Sequence, residues 1–435
     1  MRILYVSQYF PPEVATPAVR VSELTQRWAE WGHTVKVLTG FPNHPEGVIH
    51  PEYRRAWRKG IYREDFHAVK VTRAWLIPAR NRGYVGRGLN YSSFALAASL
   101  IGSWVAKPVD VVIATSPQLL VGVAGYRIAR ALGVPFVFEV RDLWPQSLVA
   151  VKASSNRSLL YRSLDRIARF LYQRATHIVV TTARQREAVA AYGIPLEKIS
   201  VVRNGVEESF LPSPAEAEKL RADFGCSDKF VALFAGTLGM AHGIETLLEA
   251  ARRLAAYPEI AFWLVGEGAE REGVLRRMEE MRLSNVKWFG RQPRSRMPAF
   301  LTAANVCLVT LRREKIFETS VPAKIFEAMA MSKPVILGVE GEAKEILLEA
   351  RAGLAVTPED PAALAEAIIK LWRNPRLGIE LGESGRRAVL QKYSRKKLAA
   401  EYLELLSRLV GESGHAVAER ESTLATSEEL TPRVP

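Results

Sequence analysis

Lys324 and Glu327 stand three residues apart behind Ser320-Val321-Pro322-Ala323. That spacing puts both side chains on one face of a helix beginning near Pro322, with Ser320 as its cap. A helix start offers unpaired backbone N–H groups and the positive end of a dipole, both of which favour a phosphate. An ammonium beside a pyrophosphate, with a carboxylate accepting hydrogen bonds from ribose hydroxyls, describes a nucleoside-diphosphate site. The same two residues also fit an exposed ion pair worth about 0.2–0.5 kcal/mol. By themselves they do not choose.

Two glycine turns add to the first reading. Phe234-Ala235-Gly236-Thr237-Leu238-Gly239-Met240-Ala241-His242-Gly243 runs from a strand into a helix, and its glycines let a phosphate or sugar approach the backbone. Phe262-Trp263-Leu264-Val265-Gly266-Glu267-Gly268 is a second strand-to-glycine turn, without the third glycine of a dinucleotide fingerprint. For each turn taken alone, tight packing is the favoured explanation. In the first half, the loops after strands hold Pro12, Glu13 and Thr16, then Asn43 and His44, then Ser116, then Arg141 and Asp142. His44 and Asp142 are candidates for proton handling in a cleft, with an ordinary turn or hydrogen-bonding role as the alternative. The seven aspartates never stand two apart, so no Asp-x-Asp metal clamp exists, and no metal site is expected. Walker, nucleophile-elbow and His-Glu-x-x-His motifs are absent too.

The elements that must hold these loops alternate in the manner of parallel βαβ units. Expected strands in the first half are Ile3–Ser7, Thr34–Thr39, Val69–Thr72, Asp110–Thr115, Val134–Val140, His177–Thr181 and Ser200–Val202. Those in the second are Val231–Ala235, Ala261–Val265, Val286–Phe289, Val306–Leu311, Val335–Gly338 and Leu354–Val356. Val21, Leu24, Trp28 and Trp31 recur at helical spacing in between. The spacing predicts a first domain over 1–208, a second over 209–394, a helix over 395–410 and a disordered tail over 411–435. The charged stretch from Glu207 to Asp228 is the expected linker.

A net charge of +14 is unevenly placed, with an excess of 13 positive charges in residues 1–209 and 1 in the remainder. Such asymmetry points to a polyanionic partner for the first half, or to a basic surface kept for solubility. Cys226 and Cys307 are too few for a disulfide framework. Met1 to Phe10 reads as a buried strand rather than a signal peptide, so the expected compartment is the cytoplasm. Leu89 to Ala106 lacks charge, yet it lies between strands of one sheet and so cannot span a bilayer. Burial in the core and a position in the membrane interface both remain open for it. Arg54, Arg55, Arg58, Lys59 and Arg63 interleave with Trp57 and Tyr62, and Arg80, Arg82 and Arg87 precede the helix, a pattern suited to anionic lipid.

Tyr9-Phe10-Pro11-Pro12-Glu13, Gly32-His33-Thr34-Val35, Asn204-Gly205-Val206-Glu207, Gly266-Glu267-Gly268 and Phe326-Glu327-Ala328-Met329-Ala330 before Lys333-Pro334-Val335 occur in that order. Together they make the chain resemble the retaining glycosyltransferases of family 4. Phe41-Pro42-Asn43-His44-Pro45, Arg141-Asp142-Leu143-Trp144-Pro145 and Pro322-x-Lys324 resemble the branch with bacterial fucosamine and colanic-acid transferases. The resemblance implies an α/β GT-B fold, two Rossmann-like domains with parallel sheets facing across a cleft, and a C-terminal helix crossing back to the first domain. It implies transfer of a sugar from a nucleoside diphosphate, UDP-linked, to a lipid-linked or saccharide acceptor in cell-surface polysaccharide assembly, without a cofactor. An anionic membrane surface is the further partner expected, and nucleic acid is not. Glu327 matches the second glutamate of the family's Glu-x7-Glu motif, at the ribose. Thr319 stands where the first belongs, with Glu318 one position early, and His242 replaces a phosphate-binding lysine. Lys324 is then expected to supply that charge. A nucleotide-sugar epimerase and a basic nucleic-acid-binding protein are the rival readings.

Overall fold

Runs of Val and Ile become central strands where both faces of a sheet are covered by helices. In the computed structural model, which describes residues 1–80, 84–150, 158–207 and 210–428, this happens twice. The first sheet has eight strands: β1 (Arg2–Val6), β2 (Thr34–Gly40), β3 (Ile61–Phe66), β4 (Val69–Ala74), β5 (Val111–Thr115), β6 (Phe136–Val140), β7 (His177–Val180) and β8 (Ile199–Val201). Their order is β3-β4-β2-β1-β5-β6-β7-β8. All pairs are parallel except β3 with β4, and β3 was not expected because Tyr62, Arg63 and Asp65 leave it no apolar alternation. The second sheet, β11-β10-β9-β12-β13-β14, is parallel throughout. It comprises β9 (Phe230–Ala235), β10 (Ile260–Val265), β11 (Val286–Trp288), β12 (Val306–Thr310), β13 (Val335–Gly338) and β14 (Gly353–Ala355). The result is the two-domain GT-B arrangement.

The first domain's helices are α1 (Thr16–Glu30), α2 (Arg54–Arg58), α3 (Tyr84–Ala106), α4 (Leu119–Leu132), α5 (Gln146–Ala150), α6 (Leu159–Arg174) and α7 (Ala183–Ala190). In α1, Val21, Leu24 and Trp28 are fully buried, whereas Trp31 lies past the helix end and is 36% exposed. The uncharged helix α3 divides its surface. Asn90, Phe94, Ala98 and Ala106 are buried, while Leu89, Leu96, Leu100 and Trp104 face outward. No helix among the described residues is long and apolar enough to cross a membrane. Arg82 lies outside the described residues.

The second domain carries α8 (Pro214–Asp223), α9 (Ile244–Arg253), α10 (Arg271–Glu280), α11 (Met297–Ala303), α12 (Lys324–Ala330), α13 (Glu342–Glu349), α14 (Pro361–Arg373) and α15 (Pro375–Lys392). Helix α8 corrects the expected linker: Ala217 and Leu220 sit three apart on it and join the second domain's core. The boundary at 208/209 lies outside the described residues. The chain returns to the first domain through α16 (Arg395–Glu428), whose Leu398, Tyr402, Leu405 and Leu406 pack with Trp28 of α1. This helix runs beyond the expected end at 410, since residues 415–428 contain no proline or glycine and many good helix formers.

Candidate functional site

The C-terminal ends of β9, β10 and β12 bring both glycine turns beside the start of α12, where ligands of open parallel sheets bind. The helix differs from expectation. It begins at Lys324 with Ala323 as its N-cap, and no side chain caps it. Ser320 instead closes a 3₁₀ turn over Lys315–Thr319, its N–H donating to the Phe317 carbonyl. The amides of Ile325, Phe326 and Glu327 donate to Pro322 and Ala323 within the first turn, so the helix end offers fewer free donors than the sequence suggested. Val321 buries its side chain in the core. The charge at this site therefore comes chiefly from a side chain.

That side chain is Lys324. Its Nζ is buried, has no hydrogen-bond partner, and lies 4.1 Å from the centre of the Phe234 ring. A Cβ placed on Gly236 would stand 2.5 Å from it, so the missing side chain is what lets the ammonium lie against the first glycine turn. Burial pushes the Lys324 pKa down to about 8, with the Glu327 charge opposing. A cation taken from water without a partner is costly. The arrangement is poised for an anion.

Glu327 does not pair with Lys324. Its Oε1 accepts a hydrogen bond from Arg294 Nη1 at 2.9 Å, and Arg294 Nη2 reaches Glu23 of α1 at 3.1 Å across the domain gap. The exposed Lys/Glu pair is therefore set aside. Arg294 carried no signal in the sequence, because its two partners lie on different domains. His242 sits beside Phe234, with ring centroids 5.9 Å apart. Burial, and then Lys324, lower its pKa to about 3, so its ring is neutral and leaves the cationic role to Lys324.

The remaining donor-side residues divide. Gly239 and Gly243 lead into α9, with Gly243 in the left-handed conformation as its N-cap, and Thr237 is exposed. Gly266 and Gly268 serve close packing of the two turns: a Cβ on them would lie 1.8 Å from the Gly236 carbonyl oxygen and 2.1 Å from that of Leu238. Glu318 and Thr319 face the first domain. Arg184 bonds the Glu318 carboxylate at 3.2 Å, and Thr182 Oγ1 donates to the Thr319 carbonyl at 2.7 Å. They line an interdomain cavity of about 600 Å³ with Arg184, Arg203, Glu342 and Tyr393, which neither Lys324 nor Glu327 lines.

Across the gap two clusters form. Glu13 Oε1 accepts hydrogen bonds from the Asn43 and His44 amides at 3.0 and 2.8 Å, while Oε2 is buried without a partner. Burial raises the Glu13 pKa to about 7 and lowers that of His44 to about 4. Arg291 of the second domain adds to the His44 shift and pairs with Glu46 at 3.5 Å, which places this cluster at the domain seam. In the second cluster, Ser116 Oγ accepts the Arg141 amide at 2.9 Å. The Arg141 Nε and Nη1 are buried without partners, and burial raises the pKa of neighbouring Asp142. Behind them, Arg20 and Glu139 form a fully buried ion pair at 3.0 Å that the sequence reading did not single out. Pro12 and Thr16 are exposed at the mouth of these loops.

Residues 16–205 match the family described as glycosyl transferase 4-like domain, and residues 229–374 match glycosyl transferases group 1. The chain is 32% identical over 308 residues to the probable glycosyltransferase WbjE of Pseudomonas aeruginosa, covering 68% of this chain and 75% of the relative. With the putative colanic acid biosynthesis glycosyl transferase WcaI of Escherichia coli it shares 24% identity over 381 residues, 85% of this chain and 91% of the relative. Among solved structures, Anabaena Alr3699/HepE in complex with UDP superimposes with a TM-score of 0.68 at 18% identity, over 94% of this chain and 100% of the other.

Proposed function

We infer the reaction from one premise: this chain belongs to the group 1 glycosyltransferases and is a nucleotide-sugar-dependent enzyme. The reading is transfer of a sugar from a UDP-linked donor to a hydroxyl of a lipid-linked or glycan acceptor, with retention at the anomeric carbon, in cell-surface polysaccharide assembly. The names of WbjE, WcaI and UDP-bound HepE support it. The observation that carries it is the buried, unpartnered Lys324 ammonium pressed against Gly236.

The bond from the anomeric carbon to the β-phosphate oxygen breaks, the acceptor oxygen bonds to the same face, and its proton passes to the departing diphosphate oxygen. Negative charge grows on the departing diphosphate. Lys324 meets it at a fixed position in a dry setting, where a prearranged charge lowers a barrier most. The turn from Gly236 through Thr237, Gly239 and Gly243 lies alongside the phosphates, and Glu327 accepts from the ribose hydroxyls. With no Asp-x-Asp pair in the chain, side chains rather than a clamped cation balance the leaving group.

The acceptor enters from the first domain. Arg141, Ser116 and Asp142 form one wall, and Asn43 and His44, held by Glu13, form the other. His44 is neutral at pH 7 and serves as a hydrogen-bonding group for a sugar hydroxyl. Holding both substrates between two domains supplies orientation and excludes water that would hydrolyse the donor. The basic first domain rests on the inner face of the cell membrane, where a lipid-linked acceptor is presented.

A thermal-shift panel of UDP, GDP, ADP and TDP tests the donor. A ligand at 100 times its Kd stabilises by about 2.7 kcal/mol. UDP should raise the unfolding midpoint most, and a panel without any shift contradicts the reading.

A further inference from the structure

Helix α3 presents a largely exposed apolar face. Val85, Leu89, Leu96, Leu100 and Trp104 are 78, 50, 63, 69 and 64% exposed, and they recur at helical spacing along one side. From Val85 to Trp104 this stripe runs roughly 28 Å at 1.5 Å per residue. The opposite side of the helix is fixed to the domain through Phe94, Ala98 and Ala106, so the stripe is not a core face left open by a displaced helix. Isolated exposed apolar residues need no explanation, but a contiguous row on an otherwise well-packed domain marks an interaction surface.

What adjoins the stripe identifies its occupant. Arg63 of β3 stacks over the Trp104 ring at 4.6 Å, and just before it Arg54, Arg55, Arg58 and Lys59 of α2 and its end are exposed. Tyr62 and Trp75 add partly exposed aromatic rings, with Trp75 stacked on Trp57. Helix α3 itself contains no acidic residue. The adjoining segment over 52–65 carries Glu52, Glu64 and Asp65, but Glu64 is paired with Arg73, so the border against Arg54, Arg55, Arg58, Lys59 and Arg63 stays net basic. An uncharged aliphatic row bordered by arginines and aromatic rings matches the layering of an anionic bilayer surface, with acyl chains below, ring-tolerant interface between and phosphate above.

We propose that the outer face of α3, from Val85 to Trp104, lies in the headgroup boundary of an anionic membrane, with Arg63 of β3 meeting lipid phosphate at its C-terminal end and the basic residues of α2 doing so nearer its first half. This rests on the reading that the first domain meets a membrane, and it names the face that does so. Residues Leu96 and Leu100 then enter the acyl boundary, while the first domain's loops stay above the surface, where a lipid-linked acceptor's headgroup is presented.

An environment-sensitive dye tests the face directly. Both native cysteines are buried, so the full chain carrying Leu100→Cys labels at that one thiol, and Ile379→Cys on α15 of the second domain serves as control. The probes are vesicles of phosphatidylcholine alone and of phosphatidylcholine with phosphatidylglycerol. With the anionic vesicles at low salt, the protein should sediment and the dye at position 100 should shift blue and brighten severalfold. The dye at 379 should not change, and high salt should reverse the effect. Sedimentation with the dye at 100 still in water overturns this face while leaving membrane binding in place. No sedimentation at low salt overturns both. A blue shift that grows with protein concentration without vesicles makes the stripe a contact between copies and likewise overturns the proposal.

Discussion

Glu327 of the second domain and Glu23 of the first share one guanidinium, that of Arg294, at 2.9 and 3.1 Å. Glu23 in turn accepts from Arg395 at 2.9 Å, where the chain recrosses between domains. The carboxylate proposed for the ribose is thus linked through Arg294 and Glu23 to Arg395, at the start of α16. Arg294→Ala leaves Glu327 unoriented and removes one bridge across the gap. Because the guanidinium is 35% exposed, solvent limits the loss to about 1 kcal/mol. Steady-state kinetics should show kcat/KM for the donor falling roughly fivefold, with Arg294→Lys recovering part of it. An unchanged KM for the donor contradicts this linkage.

Two glycines of the donor loops should fail in different ways. At Gly236 (φ 153°) a Cβ meets only the flexible end of Lys324, at 2.5 and 2.9 Å. A Cβ strains the backbone at this φ too, but only the flexible Lys324 end has to move, so Gly236→Ala should lose less stability than Gly266→Ala, displace the ammonium and weaken UDP binding at least tenfold by calorimetry. At Gly266 (φ 138°) the Cβ meets the Gly236 backbone at 1.8 Å. Gly266→Ala should lower stability by about 3 kcal/mol or more in denaturant unfolding, through overpacking and a strained backbone. Equal stability losses in both variants would show that Gly236 serves packing alone.

Lys324 also fixes the sign of a pH effect. Its folded pKa of about 8 is below the ordinary value of 10.5, so between these values the unfolded chain binds more protons. Stability contributed at this site therefore rises with pH through that window, the penalty of the buried charge being fully present below about pH 8. Diphosphate binding behaves oppositely, because it requires the protonated amine. The midpoint shift induced by UDP should shrink as pH is raised from 7.5 to 9.5 (about one to two units around the pKa). A constant shift across that range would remove Lys324 from the phosphates.

Much of this architecture was readable from residue pattern. Strands β1, β2, β5, β7 and β13 stand as short Val- and Ile-containing runs, and Val21, Leu24 and Trp28 mark the buried face of α1. Cys226 and Cys307 are buried free thiols, in keeping with their isolation in the chain. What pattern missed was decided by tertiary contact. Ser320 looked like a cap because its type and place suit one, but the preceding loop forms a 3₁₀ turn that takes its amide. Helix α8 was hidden in a charged stretch because two apolar residues suffice to anchor it. The burial of Lys324 depends on Phe234 and Gly236, far earlier in the chain, so no local spacing announces it. Arg294 likewise gains meaning only when two domains meet around it. The division of α3 into a buried and an exposed side was open in the sequence and is settled by its packing on β2, β4 and α4.

We propose that the buried Lys324 ammonium awaits a diphosphate, and thermal unfolding of Lys324→Met with and without saturating UDP is the decisive experiment. Methionine keeps the unbranched apolar stem out to the ε carbon and removes the unpaired charge, whose burial costs stability. The variant without ligand should therefore unfold at the same or a higher temperature than the native chain at pH 7. Its midpoint should no longer respond to UDP. A variant that is destabilised on its own, yet keeps the full UDP-induced shift, contradicts the account.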